Sequence, residues 1–113
     1  MLTIDSKNNI TLTRGDTLTL KCTPKVKDTG EEYVPQEGDS FRFAISKYYL
    51  GEAGYELMCE AVISKETWLT TISAENTKKL DYTTYHYDAE VTHEDGTVDT
   101  YLSGDITITG EAK

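Results

Sequence analysis

Basic residues are scarce in this chain. Its 113 residues include 11 Lys and Arg against 20 Asp and Glu, which gives a net charge of −9 at pH 7. No basic cluster is longer than the pair Lys78 and Lys79. Because phosphate neutralisation by Lys and Arg dominates nucleic-acid affinity, the sequence predicts no nucleic-acid partner. The same charge balance argues against binding to an anionic membrane surface.

Long apolar runs are also lacking. The longest run of apolar side chains is three residues, far short of the roughly 20 needed to span a bilayer. Residues 1–9 carry neither the basic region nor the apolar stretch of a secretory signal. We therefore expect no membrane-spanning segment and no export by a signal peptide.

Cysteine is rare, with Cys22 and Cys59 the only two. Without an export signal we expect a reducing compartment, and both residues alternate with apolar neighbours. The sequence therefore predicts two buried free thiols, with a disulfide between them as the alternative. No Cys-x-x-Cys spacing or paired histidine motif occurs, so we expect no zinc site.

Alternation of apolar and polar residues dominates what is present, together with many threonines and eight tyrosines, which is typical of β-strands. Turn-forming sequences separate the alternating segments. Strands are predicted near residues 10–14, 17–23, 40–47, 55–63, 67–72, 84–92 and 97–109. The fold class predicted is all-β, an antiparallel immunoglobulin-like β-sandwich of seven to eight strands that forms one domain over residues 1–113.

The same pattern predicts the core and the connections. One short helix is expected near residues 74–80 with Ser73 as its N-cap, at the corner between the fifth and sixth strands (the E–F corner). Tyr82 or Tyr85 is expected to bond that corner to the backbone. Asp95-Gly96 predicts a hairpin turn, and Ser103-Gly104 predicts a bulge that splits the last strand. The predicted core consists of Leu18, Leu20, Phe41, Phe43, Ile45, Leu57, Trp68, Ile72, Tyr87, Val91, Val98 and Ile106.

Residues that could carry catalysis are few. His86 is expected on a solvent-facing strand position and His93 in the hairpin loop. The sequence has no Gly-rich phosphate loop and no nucleophile-elbow motif, so we predict neither an enzyme nor a cofactor. Acidic residues could in principle bind calcium, but their spacing matches no calcium loop. The acidic residues in question are Glu31, Glu32, Asp39, Asp95 and Asp99.

Two short segments suggest contacts with other proteins. Arg14-Gly15-Asp16 spells an integrin-recognition tripeptide, but a turn that uses the glycine explains it better. Tyr48, Tyr49 and Leu50 follow the third predicted strand and precede a Gly-containing loop. Tyrosine is favoured at interfaces, so these three residues are the candidate protein-contact site, with edge packing as the alternative.

Several segments resemble small proteins of tailed phages and prophages of Firmicutes, and also the N-terminal β domain of the phage baseplate upper protein family. The resemblance covers about residues 8–110 and is carried by strand and turn sequences. These are ITLTRGDT (10–17), EGDSFRFAISK (37–47), LDYTTYHYDAEV (80–91), DGTVDT (95–100) and GDITI (104–108).

The resemblance implies a non-enzymatic structural or assembly module, associated with a baseplate, a tail or a virion. Its implied partners are phage structural proteins or other copies of itself. The implied location is the host cytoplasm during synthesis and then the virion. The alternative function is a free-standing immunoglobulin-like binding domain, adhesin-like or carbohydrate-binding.

Overall fold

The structure is a computed structural model that describes residues 2–4, 8–26, 28–47 and 53–110, with only the backbone described for residues 2–4. The described residues form eight strands and one short helix. The seven predicted strands are confirmed to within two residues at each end, and β1 is an additional strand. The elements are β1 (Leu2–Ile4), β2 (Ile10–Thr13), β3 (Leu18–Lys21), β4 (Ser40–Ser46), β5 (Leu57–Val62), β6 (Leu69–Ile72), α1 (Ala74–Thr77), β7 (Thr84–Thr92) and β8 (Val98–Thr109).

The strands form two sheets. A six-stranded sheet has the order β1-β2-β8-β7-β4-β5, and β3 pairs with β6 in a two-stranded sheet. One hydrophobic cluster contains buried residues of both sheets, among them Phe43 of β4, Leu18 of β3 and Ile106 of β8. The fold is therefore all-β, with its core between the two sheets.

The expectation that every strand pair is antiparallel is wrong for β2 and β8. These two strands run parallel, with Ile10 opposite Ile106 and Leu12 opposite Ile108. All four side chains are buried, so this register places the apolar faces of both strands on the core. A parallel pair needs a long crossover connection, and here five strands and the helix lie between β2 and β8 along the chain.

Val98 was predicted in the core, and that prediction is wrong. Its side chain is 49% exposed. The register of β7 and β8 shifts so that Ala89 faces Leu102 and Glu90 faces Thr100, which leaves Tyr101 without an opposite residue. An extra residue in a strand reverses the faces of the side chains beyond it, so Val98 points away from the core.

The predicted position of that bulge is also wrong. β8 continues through Ser103 and Gly104 without a break. The glycine is needed for a different reason: a Cβ there would lie 2.4 Å from the carbonyl oxygen of Asn8 and 2.9 Å from the ring of Tyr87. Gly104 therefore permits close packing of Asn8 and Tyr87 against β8.

Leu57, also predicted in the core, is 40% exposed. The pairing of β4 with β5 shifts between Ile45 and Ser46, so Cys59 faces Ile45 while Leu57 faces Ser46. The irregularity again reverses the face of the residue beyond it. The other ten predicted core residues are buried.

The corner before β7 has the predicted capping and tyrosine contacts. The Ser73 hydroxyl accepts a hydrogen bond from the N–H of Asn76 at 3.3 Å, and α1 ends at Thr77, earlier than predicted. The buried Tyr85 hydroxyl accepts a hydrogen bond from the N–H of Asp81 at 2.9 Å. Tyr85, rather than the exposed Tyr82, is the tyrosine that fastens this corner.

Candidate functional site

Four polar side chains join the β7–β8 hairpin to the connection that precedes β4. Nδ1 of His93 lies 2.7 Å from Oδ1 of Asp39, and Nε2 of His93 lies 2.8 Å from Oδ2 of Asp99. The Tyr33 hydroxyl donates a hydrogen bond to Oδ2 of Asp39 at 2.6 Å. We call these four residues the His93 cluster. The cluster links two connections that are far apart in the chain.

Local sequence explains how the two connections meet. Asp95-Gly96 forms the predicted hairpin turn: the N–H of His93 donates to the carbonyl of Thr97 at 2.8 Å, and Gly96 has φ of +89°. Gly38 lies against the hairpin, where a Cβ would approach the Cβ of Glu94 to 2.5 Å. A larger residue than glycine at position 38 would therefore push Asp39 away from the hairpin.

Hydrogen bonds shift the titration of the His93 cluster. The Tyr33 hydroxyl, followed by the N–H of Gln36, lowers the pKa of Asp39 to about 2. The same contact raises the pKa of Tyr33 to about 12. Hydrogen bonds to Asp39 and Asp99 raise the pKa of His93. The cluster therefore favours an imidazolium held between two carboxylates.

This geometry limits the chemistry of His93. A general base or a metal ligand needs a free lone pair on an imidazole nitrogen, and here both nitrogens face carboxylate oxygens. A cavity of about 140 Å³ adjoins the cluster, and its lining residues include no serine or cysteine nucleophile. What the arrangement does is hold the hairpin against the connection before β4.

Asp39 and Asp99 were named among the acidic residues considered for calcium and His93 apart from them, and the structure brings the three together. Asp95 is not part of the cluster, because its Oδ1 accepts a hydrogen bond from the N–H of Thr97 within the turn. Glu32 forms an isolated backbone bridge with Lys25. Among the described residues, no group of three or more His, Cys, Asp or Glu side chains is arranged to hold a metal ion.

His86 lies on the outer face of the six-stranded sheet, between the buried Tyr85 and Tyr87. Its Nδ1 lies 2.6 Å from Oδ1 of Asp105, the residue directly opposite on β8. His86 is therefore half of a cross-strand pair.

The Arg14-Gly15-Asp16 segment forms a turn between β2 and β3, as predicted. Gly15 has φ of +89°, and the N–H of Asp16 donates to the carbonyl of Thr13 at 3.0 Å. Nη2 and Nε of Arg14 donate to the carbonyl of Lys78 at 2.7 and 3.0 Å. The arginine thus fastens this turn to the end of α1.

Both cysteines are free. Cys22 is buried as predicted, and burial raises its pKa to about 11. Cys59 is only partly buried, and burial raises its pKa as well. The thiolate is the reactive form of cysteine, so both residues are poor nucleophiles.

The predicted contact residues Tyr48, Tyr49 and Leu50 lie outside the residues that the structure describes. In the chain they fall between β4 and β5, and β5 is the last strand of the six-stranded sheet. The sequence alone does not identify β5 itself as a contact. Its position at a sheet edge follows from long-range pairing, for which the local pattern carries no signal.

The outer edge of β5 has backbone groups available for pairing. The N–H of Ile63 donates to the carbonyl of Phe41 at 3.1 Å, which sets the alternation of hydrogen bonds along the β4–β5 pair. Ala61 and Cys59 then bond to β4, and the backbone groups of Glu60 point away from it. The carbonyl of Val62, on the same outer side, accepts a hydrogen bond from the Thr70 hydroxyl at 3.2 Å. No strand pairs with that side of β5 in the described part of the chain.

Apolar side chains are exposed along this edge. Val62 is 80% exposed, and Leu57 of β5 and Leu69 of β6 are also exposed. The carbonyl of Leu69 accepts from the N–H of Ser64, which holds the start of β6 beside the end of β5. The only charged residue of β5 is Glu60, and its Oε2 lies 2.6 Å from Nη1 of Arg42. We call Leu57–Val62 together with Leu69 the β5 edge.

A second open region is a cleft beside the end of β3. Its volume is about 500 Å³, within the range of ligand-binding pockets. Ile10, Leu20 and Leu102 contribute apolar walls, and Lys21 and Lys25 lie at the cleft. None of its lining residues belongs to β6, so the cleft lies on the side of β3 away from its partner strand.

Comparisons of the chain with models of protein families and with curated proteins found no match. Among the described residues, no helix has the length and apolar character needed to cross a membrane.

Proposed function

We propose that the chain is a non-enzymatic structural module of phage or prophage origin, associated with a baseplate, tail or virion, that acts through protein–protein contacts. The observation that carries this proposal is the β5 edge. Val62 there is 80% exposed, and no strand pairs with the outer side of β5 in the described part of the chain. Exposed strand edges of this kind are templates for another chain.

The β5 edge has only part of the usual protection against pairing. Natural edge strands are blunted by charged residues, especially lysine, by proline or by a bulge. The sequence of β5, LMCEAV, contains neither lysine nor proline, and its irregularity lies at the Leu57 end. Glu60 pairs with Arg42 at 2.6 Å, and Arg42 also pairs with Glu90 at 3.0 Å. These features favour pairing of β5 with a strand of another protein in an assembly.

An immunoglobulin-like topology is part of the proposal. In such sandwiches the G, F, C and C′ strands are neighbours in one sheet, and B and E are neighbours in the other. The order β8-β7-β4-β5 and the pair β3-β6 are consistent with that arrangement. Tyr85, which bonds to the backbone N–H of Asp81 at the start of β7, supports it further.

The chemistry of the described sites also supports a binding role. His93 has carboxylates on both ring nitrogens, and burial raises the pKa of both cysteine thiols. Tyr48, Tyr49 and Leu50 are the proposed second part of the contact surface, because they precede the β5 edge in the chain. The implied location is the host cytoplasm during synthesis, followed by the virion.

The net charge bears on the kind of partner. With a charge of −9, two copies repel each other at long range. We therefore expect a monomer or a weak oligomer in isolation and tighter assembly with a structural protein. The experiment co-expresses the tagged chain with the products of the neighbouring genes and measures capture and sedimentation.

Three variants make the experiment specific. Val62→Lys places a charge on the β5 edge, and Tyr48→Ser/Tyr49→Ser removes the aromatic side chains. Val34→Lys is the matched control, because Val34 is similarly exposed but lies outside the strands. The proposal is supported if the wild-type chain captures a phage structural protein, if Val62→Lys weakens that capture, and if Val34→Lys leaves it unchanged. Absence of such a partner, together with specific binding to a glycan array, supports the alternative binding domain.

A further inference from the structure

The free edge of β3 is a second place where backbone groups lack partners. The N–H of Cys22 donates to the carbonyl of Trp68 at 2.7 Å, so Leu20 and Leu18 also bond towards β6. The backbone groups of Thr19 and Lys21 point to the opposite side. Neither residue makes a hydrogen bond on that side within the described part of the chain.

The 500 Å³ cleft lies beside this free edge. Leu20 sits between Thr19 and Lys21 in the strand, and its side chain faces inward at 5% exposure. Leu102 and Ile10 contribute the opposite apolar walls of the cleft. A strand added to β3 would therefore direct the side chain opposite Leu20 into the cleft, while its two neighbours would face outward.

Charge distinguishes between possible occupants. Lys21 and Lys25 are both exposed and both line the cleft, in a chain of net charge −9. Glu32 is the one acidic residue among the lining residues. The local positive charge favours an acidic side chain opposite Lys21, since opposite charges in cross-strand pairs are stabilising. Long-range repulsion between two copies of this chain disfavours a second copy as the occupant.

We propose that β3 and its cleft accept, by strand addition, an extended segment of a partner protein with an apolar residue opposite Leu20 and an acidic residue opposite Lys21. The main-chain hydrogen bonds come from Thr19 and Lys21. The apolar residue enters the cleft, and an acidic side chain pairs with Lys21. This surface is distinct from the β5 edge and does not depend on the proposed function.

The test uses a synthetic probe of this chemistry, acetyl-Thr-Val-Asp-Leu-Asp-Val-Thr-amide, with its leucine intended to lie opposite Leu20. One control peptide has lysine in place of both aspartates. A second control carries N-methyl groups on both aspartates, which removes the backbone donors and keeps the side chains. Binding is measured on the whole chain by amide NMR and hydrogen exchange.

We expect the amides of Thr19 and Lys21 to exchange rapidly in the free protein and at least about tenfold more slowly with saturating aspartate peptide. The N-methylated and lysine peptides should bind more weakly. The variant Lys21→Glu should weaken the aspartate peptide about three- to fivefold and strengthen the lysine peptide. Its control is Lys65→Glu, an exposed charge reversal in the turn after β5.

Both substituted lysines are exposed, and the remaining amide resonances report whether the fold is retained. Unchanged exchange at Thr19 and Lys21 with millimolar peptide would overturn the proposal. Equal binding of all three peptides, or shifts confined to the β5 edge, would overturn it too. Self-association of the protein that depends on Lys21 would assign the cleft to a second copy and contradict the proposed partner.

Discussion

Nδ1 of His93 lies 2.7 Å from Oδ1 of Asp39, and this contact connects the β7–β8 hairpin to the segment before β4. Asp39 has its pKa lowered to about 2, and His93 has its pKa raised. The two shifts have opposite signs, so the pair stabilises the fold only in a limited pH window.

The first prediction concerns that window. The stability from His93 is present below its unfolded pKa of about 6.5 and is lost as the pH rises through the raised value. The stability from Asp39 is present above about pH 4 and is lost as the pH falls towards the lowered value. The variant His93→Gln should therefore be most destabilising between about pH 4 and 6.5.

Urea unfolding of wild type, His93→Gln, Asp39→Asn and the double variant at pH 5.5 and pH 9 measures this coupling. We expect the coupling free energy to be larger at pH 5.5. Equal coupling at the two pH values would contradict a charged His93–Asp39 pair.

The second prediction concerns the corner before β7. The variant Tyr85→Phe removes the hydroxyl that accepts from the N–H of Asp81, and it should lower the free energy of unfolding by about 1 kcal/mol. The control is Tyr82→Phe, because Tyr82 is exposed, and its effect should stay within about 0.5 kcal/mol. If denaturant titrations gave equal losses of unfolding free energy for Tyr85→Phe and Tyr82→Phe, Tyr85 would not be the residue that fastens the corner.

The third prediction tests the effect of the β8 bulge on the core. Phe43 is fully buried, so Phe43→Ala should cost about 3–5 kcal/mol of unfolding free energy. Val98→Ala should cost less than about 0.5 kcal/mol, because the bulge turns Val98 to the surface. A cost above about 2 kcal/mol for Val98→Ala would place that side chain in the core after all.

The fourth prediction concerns the thiols. The pKa of Cys22 is raised to about 11 and its side chain is buried, so it should react with an aromatic disulfide reagent only after denaturation. Cys59 is only partly buried and should react slowly in the native protein. The variants Cys22→Ser and Cys59→Ser show which of the two thiols gives each rate of reaction with the reagent. Zero titratable thiols in denaturant would indicate a disulfide instead.

The local sequence pattern was sufficient to predict the positions of seven strands and the turn at Asp95-Gly96. Both depend on interactions over a few residues: the alternation of side chains along a strand and the backbone preferences of turn residues. It failed at Val98 and Leu57, which continue the apolar phase of their strands in sequence. In both cases a register irregularity with a neighbouring strand reverses the side-chain face. Such an irregularity depends on the partner strand, so the sequence of one strand does not reveal it.

The all-β class, the acidic charge and the run of strands were determined by the sequence alone, because they depend on composition and short-range order. Tertiary structure decided the parallel pairing of β2 with β8, the open edges of β5 and β3, and the convergence of Asp39 and Asp99 on His93. Each of these features joins residues or strands through pairing across the fold. Their geometry is set by packing around a shared core, which no local window of the sequence contains.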